Sequence, residues 1–351
     1  MSKTTRVLFA VVACAFVVTQ ATAQDAAAPS VTLGGGLRAS AAWADSDAGG
    51  SADNYGLNNV RLYLNASAYG WLGVEVNTET VGGPDVSALD EFGDQLNSLT
   101  DVYILDAVAK VALSDSFNIW VGRFLAPSDR ANLSGPYYGN VGNLGLATGS
   151  GHYMLGNNGW GRDDGIAVWG NVGGDMNLKY QVGIFDGDVS DDEMFAGRLV
   201  LNLWDDEPGY YNASTYYGEK QVLAIGLSYQ DGAGSGGGPF EDALGIDLLV
   251  EKTLDMGTVT LDAALYDYGT PGDDPISVFV GLLLTNDVAI GPISGKPRPY
   301  IRYVKDGAFG DELSFGLQHV IDGHKASLTL EYSDFDDIGG SVLSIGAQFQ
   351  F

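Results

Sequence analysis

From residue 31 to the end, much of the chain reads as short stretches in which apolar and polar residues alternate one for one. In the last stretch, 342–351, Leu343, Ile345, Ala347, Phe349 and Phe351 fall on one side of an extended chain. Ser344, Gly346, Gln348 and Gln350 fall on the other. Strand side chains alternate faces with a period of two, so the stretch predicts a strand with one apolar and one polar wall. The same phase sets Leu244, Ile246, Leu248 and Val250 against Gly245, Asp247 and Glu251, and Val259, Leu261, Ala263 and Leu265 against Thr258, Thr260 and Asp262. Sixteen strands are predicted: 31–43, 57–68, 71–79, 101–112, 117–124, 164–172, 176–185, 194–203, 220–230, 243–252, 258–268, 276–286, 299–305, 312–321, 325–333 and 341–351.

The connections alternate in length. Tyr69-Gly70, 114–116, 173–175, 255–257 and 322–324 are short and rich in Gly and Asp, as tight hairpins require. The opposite set is longer: 44–56, 80–100, 125–163, 186–193, 231–242, 269–275, 306–311 and 334–340. Short turns at one end, long loops at the other and an even strand count predict an all-β, transmembrane antiparallel barrel of about 16 strands. Two connections, 204–219 and 287–298, are too long for the short-turn end.

The polar faces carry Arg38, Arg61, Glu75, Asp106, Lys179, Arg198, Asp247, Glu251, Asp262, Arg302 and Glu331. A dry core could not hold them, because each unpaired buried charge costs several kcal/mol. A wet lumen could. The alternative is a water-soluble sandwich with these faces in solvent, its apolar faces packed on a second sheet.

Composition adds little to the fold and more to location. Acids outnumber bases 45 to 17, for a net charge of −28, which argues against nucleic acid as a partner. Lys3 and Arg6, the apolar run at 7–18 and Ala21-Thr22-Ala23 predict a cleaved export signal at 1–23 and a single domain at 24–351. The run is too short to span a bilayer as a helix, and the only cysteine, Cys14, lies inside it.

The segment 192–230 contains Phe195-Ala196-Gly197-Arg198-Leu199 and Pro208-Gly209-Tyr210-Tyr211. It resembles a Gram-negative outer-membrane porin family, a broad group that includes phosphate-selective O/P-like porins. Val121-Gly122-Arg123-Phe124 followed by Ala126-Pro127-Ser128-Asp129-Arg130 is similar to the strand entering a porin's third loop. The resemblance implies a homotrimer in outer-membrane lipid and lipopolysaccharide, with one water-filled pore per subunit and the third loop folded inward. It also makes the terminal Phe351 the insertion signal read by the barrel-assembly machinery. The 125–163 connection, longest and third among the outer loops, fits that role.

The function expected is passive diffusion of small hydrophilic solutes and ions. The residues expected at the constriction or lumen are Arg38, Arg61, Glu75, Asp106, Arg123, Asp129, Arg130, Arg162, Asp163, Arg198 and Arg302. Arginines on the wall facing acids on the third loop would set up a transverse field; equally, they would pair with Glu75, Asp106 or Glu331 as salt bridges within the wall. The overall acidity favours mild cation preference over a phosphate-selective or other anion-selective pore. Asp186-Gly187-Asp188 weakly resembles the start of a calcium loop, but Gly197 stands where its bidentate Glu should be. His319 and His324 flank one turn and are expected at the membrane interface. No residue set with catalytic or cofactor-binding spacing is present, so no enzyme activity and no cofactor are expected. A non-conducting, exported structural or adhesive β protein remains the alternative of another class.

Overall fold

A computed structural model describes residues 28–47, 49–81, 102–140, 161–173, 177–186, 193–231, 242–267, 274–307, 310–336 and 339–351. The predicted export signal, most of the 125–163 connection and Asp188 lie outside the described residues. The strands are β1 (Ser30–Ser46), β2 (Ser51–Ala68), β3 (Leu72–Val81), β4 (Val102–Ser114), β5 (Phe117–Leu125), β6 (Arg162–Val172), β7 (Asn177–Phe185), β8 (Met194–Asn202) and β9 (Val222–Asp231). They continue as β10 (Asp242–Leu254), β11 (Gly257–Asp267), β12 (Ile276–Leu284), β13 (Val288–Ile290), β14 (Ile293–Gly307), β15 (Gly310–Asp322), β16 (Ala326–Phe335) and β17 (Gly340–Gln350). A helix, α1 (Arg130–Tyr138), follows β5.

Each long strand pairs antiparallel with its sequence neighbours, and β1 closes the ring on β17 from Gly36↔Gln350 to Ser46↔Gly340. The short β13 pairs only with β14, while β12 pairs directly with β14. The wall is therefore a closed sixteen-stranded antiparallel barrel, and closure removes the open edges that invite aggregation.

Burial runs opposite to that of a water-soluble protein. Arg198, Asp247, Glu251, Arg298 and Arg302 point inward and are buried, whereas Leu62, Ile166, Leu199, Ile246, Phe315 and Ile345 point outward and are exposed. Ile345 and Phe349 are 49% and 48% exposed, with no second sheet over them, which overturns the sandwich alternative. Trp43 and Tyr55 meet edge to face near one end of the wall, and Tyr69 stacks on Trp71 at the other. An apolar outer band between aromatic girdles suits a bilayer, where hydrocarbon replaces the second sheet.

Two predicted boundaries differ. Where a 44–56 loop is predicted, β1 and β2 stay paired as far as Asp45↔Ser51. The anomalous 287–298 connection is a small hairpin, in which β13 and the start of β14 turn about Gly291 at φ 60°.

Candidate functional site in the barrel interior

The chain leaves β5 at Leu125 and enters α1, where Asn132 donates to Ser128 Oγ (2.7 Å). Gly135, at φ 59°, and Pro136 break the helix after one turn. Residues 127–140 then bond to inward side chains on opposite sides of the wall. Gln230 donates to Pro127 O (3.1 Å), Asn140 donates to Asp262 (2.8 Å), and Arg298 donates to Asn140 Oδ1 (2.7 Å). On the other side Gln348 donates to Tyr137 O (3.0 Å), and Arg61 lies 5.3 Å from the centre of the Tyr137 ring. Tyr137 sits against Gly36, where a Cβ would come within 2.7 Å of the ring.

The second interior segment is 203–221, the overlong connection between β8 and β9. Two further ladder bonds, Leu203 N to Leu223 O (2.8 Å) and Asp205 N to Gln221 O (2.9 Å), extend the hairpin before the chain turns in. Tyr210 stacks on Trp120 at 4.3 Å and donates to Leu125 O (2.7 Å). It thereby joins an apolar core inside the barrel, with Val108, Trp120, Phe124, Leu133, Phe185 and Met194. Aromatic pairs of this kind contribute about 0.5–1.5 kcal/mol each beyond their burial. Lys179 donates to Asn212 Oδ1 (2.6 Å) and Gly209 O (3.2 Å). Glu251 accepts from Thr215 Oγ1 (2.6 Å), Tyr216 N (3.0 Å) and Gly218 N (2.9 Å), where Tyr217 and Gly218 turn through positive φ.

The two segments meet in the middle. Arg130 makes a two-pronged contact with Glu207 (2.7 and 2.8 Å) and donates to Ala213 O (2.7 Å), with Arg130 and Glu207 side chains only 1% and 0% exposed. Burial pushes the Glu207 carboxyl up. The Arg130 charge and hydrogen bonds, aided by Lys179 and Tyr216, outweigh it and hold the pKa down to about 2. Tyr216 OH also donates to Glu207 (2.6 Å), and Ser214 N donates to Tyr138 O (2.9 Å). His324, in the turn between β15 and β16, points its ring inward between Tyr138 and Tyr217, with Nδ1 3.1 Å from Tyr137 O and Nε2 2.9 Å from Thr215 O. Ser134 Oγ and Ser214 Oγ stand 3.0 Å apart, so a Ser134→Cys/Ser214→Cys chain is expected to form a disulfide under mild oxidation. A thiol-reversible gel shift checks this, and persistent free thiols would contradict the contact.

A cavity of about 580 Å³ remains between these segments and the wall of β1–β4. Arg61, Tyr63, Glu75, Asn77 and Asp106 line its wall, with Arg162 at the start of β6; Ser134, Gly135 and Tyr138 face it from α1, and Tyr211, Asn212, Tyr216 and Lys220 from the second segment. Its wall charges are paired side by side. Arg61 bridges Glu79 (2.6 Å), Lys110 bridges Glu75, and Arg162 bridges Asp106 (3.2 Å). Asn77 donates to both Glu75 and Asp106, at 2.9 Å each. The α1 residues facing this wall carry no charge, so of the two arrangements expected the cavity shows salt bridges within the wall and no field between wall arginines and acids of α1.

Of the expected constriction residues, Arg61, Glu75, Asp106 and Arg162 line this cavity. Arg130 is the link just described. Arg198 makes a two-pronged contact with Asp247 (2.5 and 2.9 Å), Arg302 contacts Glu312 and Glu331, and Arg38 donates to Asn59 (2.9 Å). Asp129 accepts from Tyr266 OH (2.7 Å), and the buried Asp163 accepts from Asp164 N (2.7 Å). Arg123 does not face the lumen. Trp120 and Phe124 take the inward positions of β5, so Arg123 points outward and pairs with the exposed Asp164 (2.8 Å). Asp186 bonds through its backbone N to Asp164 O (2.9 Å). Phe351 is 84% exposed and pairs by backbone with Gly35. The expectations did not include Glu207, Tyr210 or Thr215; the anomalous length of 204–219 and its Tyr-rich run were the available signals.

No family model matches the chain, and no curated protein sequence matches it. Solved structures do match. An anion-selective porin from Comamonas acidovorans is 17% identical, with 92% of this chain and 100% of that chain covered and a TM-score of 0.57. Pseudomonas putida OprB in its high-pH structure is 12% identical, with 92% and 94% covered and a TM-score of 0.58. A loop L8 deletion mutant of OmpT, an outer membrane protein of Vibrio cholerae, is 14% identical, with 93% and 100% covered and a TM-score of 0.54. These similarities establish a shared fold.

Proposed function

We propose, from the premise that this chain has the sixteen-stranded fold of the outer-membrane porins, that it forms a water-filled channel for passive diffusion of small hydrophilic solutes and ions. The observation that carries the reading is the inverted barrel: an apolar band faces outward while a charged interior keeps a cavity of about 580 Å³. The protein conducts and does not catalyse. Residues 1–23 direct export and are removed, and the mature chain sits in the outer membrane of a Gram-negative bacterium. It assembles as a homotrimer, with Phe351 read by the barrel-assembly machinery. The 125–163 loop narrows the pore, in keeping with the bonds that 127–140 make across the interior. Because the cavity's wall acids and bases are paired with one another, ion selectivity is weak.

Purified chain added to a planar lipid bilayer is expected to give stepwise openings of one unit size, with a small reversal potential in a salt gradient. A correctly folded barrel that gives no steps overturns the channel reading in favour of a sealed structural protein. A large reversal potential overturns only the weak selectivity.

A further inference from the structure

We propose that the 203–221 segment is a second constriction element: a jaw entering from the short-turn end that, with 127–140, sets the size limit of the passage and biases its ion selectivity. The inference deepens the channel reading and rests on it. Reversing the chain from β8 to β9 does not require this segment. At the same end β4 and β5 are joined by residues 115–116, and β10 and β11 by 255–256. The ladder between β8 and β9 likewise runs past the strand ends to Asp205 and Gln221, close enough for a short turn.

The wall is built to receive the segment. Lys179 on β7 donates to Gly209 O and Asn212 Oδ1, and Gln181, also on β7, donates to Tyr210 O (2.5 Å). Glu251 on β10 accepts from Thr215, Tyr216 and Gly218. All three wall side chains are fully buried, and withdrawing the segment would remove these partners, leaving Glu251 with Thr260 Oγ1 (3.0 Å). That cost keeps the jaw in place. Glu207 is its positioning residue, because the pair with Arg130 fixes the jaw against α1.

The face turned to the cavity carries the selectivity. Tyr211 lines it with a half-buried ring that packs edge to face on Trp120 (5.5 Å) and Tyr210 (5.4 Å), its OH buried without a hydrogen-bond partner, so the ring takes up passage space. Lys220 donates to Asp206 O (2.7 Å) and lies 5.2 Å from the Tyr216 ring centre, with no ion-pair partner among the described residues, while the wall charges opposite are paired.

Single-channel recording in planar bilayers with polyethylene glycols of graded size tests this on the full chain. Replacing 206–220 with a two-residue Asn-Gly turn is expected to raise conductance several-fold and to admit larger polymers. Tyr211→Ala should raise conductance by a smaller step, and Lys220→Glu should shift the reversal potential toward cations with little change in conductance. Heat-modifiable migration reports that each variant is folded. Tyr211→Ala and Lys220→Glu barrels that fold yet keep the parent conductance, polymer cut-off and reversal potential overturn the jaw while leaving the channel reading intact. A parent and a folded turn-replacement variant that both fail to conduct overturn the channel reading itself.

Discussion

Replacing Arg130 with alanine is expected to destabilise the barrel by about 3–5 kcal/mol, the range for stripping one partner from a buried ion pair. The guanidinium holds Glu207, lies 3.5 Å from Asp247 and donates to Ala213 O, all within the closed interior. Without it Glu207 keeps Tyr216 as a donor but has no opposite charge in contact. The pH dependence follows from the sign of the Glu207 shift. Its carboxyl is held down to about 2 in the parent, so the pair's contribution is complete above the ordinary carboxylate range and is lost progressively as pH falls from that range through about 2. In Arg130→Ala burial dominates, the carboxyl moves above its ordinary value, and the deficit is largest at neutral pH and shrinks on acidification. Chemical unfolding of lipid-reconstituted protein, followed by tryptophan fluorescence at pH 7 and pH 4, measures both effects. Arg130→Met/Glu207→Leu should recover most of the loss, because it leaves neither charge buried without its partner. A double variant as unstable as the sum of the singles would show that the pair does not act as a unit.

The wall was legible in the sequence because the period-two code is local. All sixteen long strands are present, and Asp247, Glu251 and Asp262 point inward as the alternation requires. The code fails where the environment stops being lipid outside and water inside. Around 44–56 the inward Ala44, packed with Phe335 and Val342, and the outward Tyr55 stand apart among polar residues, so strand continuity had no period-two hydrophobic signature. In β5 the lumen side is lined by Trp120 and Phe124, since Tyr210 covers it; apolar-in is correct there, and Arg123 goes out. The interior pairings were beyond reach altogether. Arg130 and Glu207 lie 77 residues apart, and Asn140 and Arg298 lie 158 apart, so each contact exists only because a closed ring brings distant strands face to face. Length alone marked 204–219 as unusual, and the buried polar groups of Lys179 and Glu251 show why that length is occupied.

Ile345→Arg is expected to cost about 2–4 kcal/mol, the range for a guanidinium on the lipid face near the bilayer midplane. Ile345 stands near the middle of β17, paired with Leu330 on one side and Ala41 on the other, and its side chain is 49% exposed on the outer surface. Val31→Arg should cost roughly 0–1 kcal/mol, because Val31 lies near the start of β1, where an arginine reaches the interface. The contrast discriminates because both residues are exposed: in a water-soluble protein a surface charge at either site would change stability by within about 0.5 kcal/mol. Depth dependence between two exposed sites has no source in water. Equilibrium folding into lipid vesicles gives the two costs, and equal values would mean that the apolar band does not meet hydrocarbon. The interior network enters the same measurement, since Ser344, adjacent to Ile345 in sequence, faces inward and is buried. The wall thus carries two opposite rules one residue apart, and only a closed ring between lipid and water satisfies both.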